Sequence, residues 1–224
     1  MDVYIGFDIS LQSTHICVVD GSGNQVRESV ELSELDALDG WLRKHGQEWD
    51  IQRIVFETGQ LSAYLYHGLR PSWPVICIDA RHAHGTLKAQ RIKTDKNDAR
   101  GLAQIARTGW YKAVHVKSEK VQALRALVGG RKYLVSTRLG LENHIRGTLK
   151  TLGIKMGNVT TAAFSSKAMG AIDAKDDLFK QVIVTMLAAR DDLLAQQRAL
   201  DKRCADIAKA SEVCKRLMTV PGVG

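Results

Sequence analysis

Long apolar runs are missing from this 224-residue sequence. Nothing approaches the roughly 18 consecutive apolar residues that a membrane-spanning helix requires. The opening MDVYIGFDIS also lacks the basic, apolar, small-residue order of a secretion signal. No membrane partner is expected, and the predicted location is cytoplasmic. Cysteine is scarce: Cys17, Cys77, Cys204 and Cys214 form no CxxC or Cys/His ligand spacing, which argues against a disulfide framework or a structural zinc and leaves ordinary thiols. Low-complexity and collagen-like patterns are absent, and 45% hydrophobic with 25% charged residues excludes a disordered chain. The length suits one large domain or two small ones.

What is present is charge, unevenly placed. The net charge is +8; residues 1–80 hold 5 Lys/Arg and 12 Asp/Glu, residues 81–155 hold 17 and 4, and residues 156–224 hold 10 and 8. A basic middle third points to a polyanion, because Lys and Arg that neutralise phosphates release condensed counterions. Nucleic acid is the first candidate, and a solvated basic face is the plainer alternative.

Apolar, β-prone runs at Val3 to Phe7 and His15 to Asp20, the turn residues Gly21 to Asn24, and the alternating QVRESVEL predict a three-stranded meander. Ser33, Glu34 and Asp36 read as a helix start, with Leu35, Leu38, Trp41 and Leu42 as its apolar stripe. RIVFE and PVICID read as buried strands separated by a helix over Leu61 to Leu69. Five strands in this order predict an α/β fold, a mixed sheet covered by helices. Beyond Thr94 the pattern becomes helical: Asp98 to Arg107, then a long helix from about Ser118 to Thr151 that Gly129 and Gly130 should kink or loosen. Residues 153–175 read as a connector. From Asp176 the apolar positions Val182, Met186, Ala189, Leu193 and Leu200 suggest a coiled-coil arm, or else an amphipathic helix packed on its own domain.

Four carboxylates stand where such a sheet would gather them. Asp8 ends the first strand and Glu57 the fourth; if those strands are adjacent and parallel, both emerge at the sheet edge where α/β proteins bind ligands. Asp95 and Asp98, three apart in KTDKNDA at a helix start, share one helix face. Clustered acids repel one another without cations, and hard oxygen donors suit Mg²⁺ or Mn²⁺. Two such ions about 4 Å apart can support phosphodiester cleavage. Each acid has a plainer use: Asp95 or Asp98 as a helix cap, Asp8 as a turn former. With Arg91, Lys93, Lys96 and Arg100 interleaved, the set reads as a nuclease-type site.

YIGFDIS, VFETG and above all KTDKNDARGLAQIARTG resemble the DEDD transposases of bacterial insertion sequences, the bridge-RNA-guided recombinases. The resemblance implies a RuvC-like, RNase H-type domain over residues 1–110 with Asp8, Glu57, Asp95 and Asp98 as its catalytic, metal-binding acids. It implies Mg²⁺-dependent (or Mn²⁺-dependent) DNA strand cleavage and exchange, and recognition of DNA through a structured guide RNA. Dimers or tetramers are expected through the helical arm. The remaining chain divides into a basic helical segment over 111–155, a connector and coiled-coil arm over 156–216, and the start of a further domain over 217–224. Relatives carry a catalytic serine in that further domain, and no serine here sits in the matching motif. Nucleic-acid contacts are expected from Arg125, Arg131, Lys132, Arg138, Arg146 and Lys150. His82 and His84 lie just before the basic run, as a solvated loop or else a phosphate contact or general base, and Trp73, Trp110 and Tyr111 flank it, with buried anchoring the default and base stacking the alternative.

Three other readings compete. A Holliday-junction resolvase would keep the fold, but KTDKNDA and the trailing arm argue against it. The first phosphate loop of actin-like ATPases and sugar kinases resembles GFDIS, yet those need a duplicated domain. A non-catalytic fragment that binds RNA or a partner subunit is the third.

Overall fold

Alternation decides which side of the first strand is dry. Val3, Ile5 and Phe7 are wholly buried on one face, while Tyr4, Gly6 and Asp8 point to the other. The computed structural model describes residues 1–81 and 94–223. Its sheet contains β1 (Asp2–Ile9), β2 (Ser13–Asp20), β3 (Gln25–Leu32), β4 (Asp50–Glu57) and β5 (Val75–Ile78), in the spatial order β3-β2-β1-β4-β5. β2 runs antiparallel to β1 and β3, whereas β4 is parallel to both β1 and β5. This is the mixed five-stranded sheet of an α/β, RNase H-like fold.

Two helices cover the first face. α1 (Leu35–Gly46) and α2 (Ser62–Leu69) bury Leu38, Leu42, Leu65 and Leu69 against Ile5, Phe7, Ile54 and Phe56. Each such side chain contributes about 1.5–3 kcal/mol relative to exposure. The expected start of α1 is corrected in one detail. Ser33 does not cap it; its hydroxyl bonds the buried Thr14 hydroxyl at 2.8 Å, and the cap position falls on Glu34. The other face receives α3 (Asp95–Thr108), which begins three residues earlier than its apolar pattern suggests because Thr94 Oγ1 accepts the Asn97 amide. It ends at Gly109, whose φ of 73° closes the helix in the left-handed region.

The chain divides into two units, Met1–Ser118 and Glu119–Gly224. The boundary expected near residue 110 thus falls at 118, because residues 111–118 complete the first unit. The Val114 amide donates to Cys77, Ala113 bridges Ile78, and Val116 packs on the first core.

In the second unit, α4 (Glu119–Thr151) and α6 (Asp177–Ala210) pair as an antiparallel hairpin, shown by Arg131 meeting Asp201 and Glu142 meeting Arg190. α4 runs without interruption through Gly129 and Gly130. The expected connector carries α5 (Phe164–Ala171), and its Met156, Phe164, Ala168 and Ile172 close a core with Ile145, Leu149, Ile183 and Leu187. The seam of α6 lies one residue on from the expected one. Ile183, Leu187, Arg190 and Leu194 are buried, while Val182 is 46% exposed. The phase was misread because Arg190 occupies a seam position that an apolar count skips. α7 (Glu212–Met218) follows, capped by the Ser211 hydroxyl.

Candidate active site

Asp8 and Glu57 close the strands on which they stand. Phe7 pairs with Phe56 in the parallel β1–β4 ladder, so the next residue on each strand, Asp8 and Glu57, leaves the sheet at the same edge and on the same face. Both acids line one cleft of about 260 Å³, together with Ser10, Thr58 and Gly59. The expectation that the two carboxylates share the carboxyl edge is met.

α3 lies over the face on which these acids stand, and it can do so because residue 6 is glycine. A Cβ there would sit 2.2 Å from the Ala99 carbonyl oxygen and 2.3 Å from the Ala103 amide nitrogen. Ala99 and Ala103 pack with Cys17 and Val19, on the β2 side. Leu102, Ile105 and Ala106 pack with Val55 and Ile78, on the β4–β5 side. One turn upstream, Asp95 continues the first row and Asp98 the second. The helix is held at its far end as well. Arg53 donates to the Ala106 carbonyl at 3.0 Å and Gln104 to the Gly23 carbonyl at 2.7 Å. Its amino end is thus set over the carboxyl edge of the sheet. Thr94 fills the cap position, so neither aspartate serves as the cap.

Two residues absent from the sequence reading join this region. His15 is the register partner of Asp8, and its Nε2 lies 3.7 Å from Asp95 Oδ2. Glu28 pairs in register with Cys17 and takes the Lys96 ammonium at 2.5 Å. His15, Glu28 and Lys96 line a second cavity of about 270 Å³ beneath the first turn of α3. The signal was the β1–β2 register: a short connection over Ser10–Ser13 sets residue 15 opposite residue 8. Cys17, below the same helix, has its thiol pushed up to about 11 by burial, with Glu28 adding to it.

The basic candidates separate by burial. Arg100, Arg125, Lys132 and Lys150 are exposed. Arg138 is 6% exposed and donates to Glu142 Oε1 at 2.6 Å and to Gln197 at 3.1 Å. Arg131 pairs with Asp201, while Arg146 donates to the Gly157 carbonyl at 2.8 Å and stacks over Phe164 at 5.1 Å. All three guanidiniums make contacts within the second unit, but only Arg138 is buried, where an unpaired charge would be costly; Arg131 and Arg146 remain partly exposed. Arg91, Lys93, His82 and His84 lie outside the described residues. Of the aromatics, Trp110 is 74% exposed, Tyr111 packs beside Val55 and Ile78, and Trp73 donates its indole N–H to Asp39 at 2.7 Å.

Residues 5–154 match the family DEDD_Tnp_IS110, described as Transposase. The chain belongs to this DEDD transposase family. The transposase for insertion sequence element IS1111A of Coxiella burnetii is 28% identical over 158 residues, 67% of this chain and 42% of that protein. The Sinorhizobium fredii protein y4pF/y4sB is 29% identical over 145 residues, 60% of this chain and 35% of its own length. The chain thus spans less than half the length of these curated relatives. The Thermus thermophilus RuvC structure aligns with 50% of this chain and 99% of its own at 12% identity and a TM-score of 0.35; the strand order, not that alignment, defines the fold.

Members of the DEDD transposase family generally use divalent metals, and the donor set here suits a hard cation in part. Asp8 and Glu57 offer carboxylates at one cleft, enough for an ion that keeps several waters and takes phosphate oxygens as further ligands. Among the described residues, no three or more His, Cys, Asp or Glu side chains form a ready ligand cluster. Asp95 is instead drawn to His15 on the β2 side. No described helix is long and apolar enough to cross a membrane.

Proposed function

We propose that this transposase-family chain carries the acidic half of a DNA strand-cleavage and strand-exchange site, acting in the cytoplasm with Mg²⁺ or Mn²⁺ and directed by a structured guide RNA. The observation that supports it is the placement of Asp8 and Glu57 at one cleft, on strands whose neighbouring residues α3, the helix that bears Asp95 and Asp98 in its first turn, packs against. The two strand-end carboxylates would hold the ion, and Asp95 and Asp98 would approach it from α3. The ion supplies Lewis-acid stabilisation of charge on the phosphodiester. The chain's own residues position it: the sheet fixes Asp8 against Glu57, and the Gly6 contact fixes the height of α3 above both.

Nucleic acid is held in this proposal by exposed cations, Lys96 and Arg100 near the acids and Arg125, Lys132 and Lys150 along α4. Trp110 offers a ring for stacking on a base. Assembly of copies through the helical arm belongs to the same reading, supported by Leu178 and Val182, which α6 leaves exposed.

The test is titration of the purified chain with Mn²⁺, followed by electron paramagnetic resonance, for the wild type, Asp8→Asn and Asp98→Asn. Loss of binding in either variant with an unchanged circular dichroism spectrum is expected. Unchanged titration in both variants would overturn the metal site. Binding to structured RNA and duplex DNA across a salt series tests the polyanion surface, with a log-log slope of several units expected.

A further inference from the structure

We propose that Lys96 and Arg100 form a seat for one phosphate group of a nucleic-acid strand, and that the Glu28 carboxylate fills this seat until the phosphate displaces it; this deepens the proposed function and rests on it. The two cations stand four residues apart on α3, the spacing at which side chains on a helix surface are neighbours, and both are exposed. Glu28 reaches them from β3. It stands opposite Cys17 in register, and its Oε2 lies 2.5 Å from the Lys96 ammonium. The three charges gather over one point of β2: the Cys17 thiol there is pushed up by burial first and by Glu28 next, while Arg100 and Lys96 lower it. Asp95 does not share the seat, since its carboxylate lies toward His15, 3.7 Å away.

The pair is a poor match on the acid's side. Lys96 is 64% exposed and Glu28 only 24%, and Glu28 Oε1 is buried and meets no donor among the described residues. The ion pair thus satisfies one carboxylate oxygen, and the other keeps its desolvation cost. The helix adds a second mismatch, because its amino end favours anions and Lys96 is the second residue of α3. A phosphate answers both cations at once. The planar fork of Arg100 can take two of its oxygens, and the Lys96 ammonium meets it as a point charge. Displacement also lets Glu28 turn its orphaned oxygen into water. The cavity of about 270 Å³ that Glu28 and Lys96 line with Val30, itself 55% exposed, leaves room for that turn. Docking of α3 does not hang on the pair, since Gly6 admits the backbone of Ala99 and Arg53 and Gln104 hold the other end.

The experiment measures binding of the chain to a fluorescein-labelled DNA duplex by polarisation, in EDTA so that no ion at the acids contributes, across about 50–200 mM salt. Glu28→Gln clears the seat beforehand and should tighten binding about two- to fivefold, the worth of a partly exposed ion pair. The same substitution in a Lys96→Met background should gain nothing. Arg100→Gln and Lys96→Met should each weaken binding and lower the log-log salt slope by about one, the share of a single phosphate contact. Circular dichroism checks each fold, and the two cation variants, at exposed positions, test the seat independently of Glu28. An equal gain from Glu28→Gln with and without Lys96 overturns the proposal, because the lost charge then acts only at a distance. Wild-type affinity in Glu28→Gln, or a wild-type slope in Arg100→Gln or Lys96→Met, also overturns it and leaves the rest of the polyanion surface standing. Absence of DNA binding by the wild type removes that surface and this inference together.

Discussion

Gly6 and Ala99 meet backbone to backbone: a methyl group on the glycine would lie 2.2 Å from the alanine carbonyl oxygen, so β1 and α3 approach as closely as they do only because residue 6 has no side chain. The contact lies two residues before Asp8 and one turn after Asp95, and the spacing of the candidate acids therefore depends on it.

Gly6→Ala should displace α3. Its neighbours are main-chain atoms that cannot rotate away, and overpacking of this kind costs about 1–3 kcal/mol or more. For a unit of this size that lowers Tm by about 4 °C per kcal/mol. Thermal unfolding checks the stability, and Mn²⁺ titration of the same variant should show weakened binding while all four acids are intact. A variant with wild-type Tm would mean that the helix repacks at no cost.

Glu142→Gln should destabilise the hairpin strongly. Glu142 Oε1 receives Arg138 at 2.6 Å and Arg190 at 2.8 Å, with the two guanidinium side chains 8% and 2% exposed. Removing the shared carboxylate leaves Arg138 buried without a counter-charge and Arg190 with Asp191 alone, and breaking such a buried pair typically costs about 3–5 kcal/mol. Urea unfolding of the variant should show a lower midpoint with little change in slope. An unchanged midpoint would show that water reaches both guanidiniums.

The hairpin should also weaken in acid. The Asp201 carboxyl lies below its ordinary value because Arg131 donates to it, with Gln197 assisting. A depressed folded-state value means that the unfolded chain takes up the proton first. The contribution is therefore complete above the ordinary carboxylate range and is lost as pH falls through and below it, at about pH 4 and lower. Helicity followed by circular dichroism from pH 6 to pH 2 should fall earlier in Asp201→Asn than in the wild type. Coincident curves would remove this pair from the stability of the arm.

Thiol reagents should divide the cysteines by place. Cys17 and Cys77 are buried, and burial pushes both thiols up to about 11, whereas Cys204 and Cys214 are partly exposed on the second unit. At pH 8 the second pair should react with an aromatic disulfide and the first only after unfolding. Mass spectrometry of labelled peptides reads the result, and early labelling of Cys17 would show that α3 opens readily.

Much of the first unit was legible because β-alternation and helical periodicity are local signals. QVRESVEL is β3 to the residue, and Asp8 and Glu57 could be placed at strand ends before any pairing was known. What was not legible depends on register. His15 draws its meaning from standing opposite Asp8, and Glu28 from reaching Lys96 on a helix 68 positions later. The partners of the basic residues on α4 were hidden for a similar reason. Arg131, Arg138 and Arg146 look like any solvated cations in one dimension, and only the contacts with α6 and Phe164 show that each has a partner within the unit and that Arg138 is buried. Arg190 misled in the opposite sense, a charged residue filling a seam position.

The same buried ions give the arm a mechanical property. Helices joined only by hydrocarbon can creep along one another, since one leucine replaces another at similar energy. A one-turn slide here would carry Arg190 about 5.4 Å from Glu142 and break the buried pair that joins the two helices. The hairpin is therefore a strut with a single stable length, about 50 Å for the 34 residues of α6. A push at one end is passed to the other instead of being absorbed by slippage.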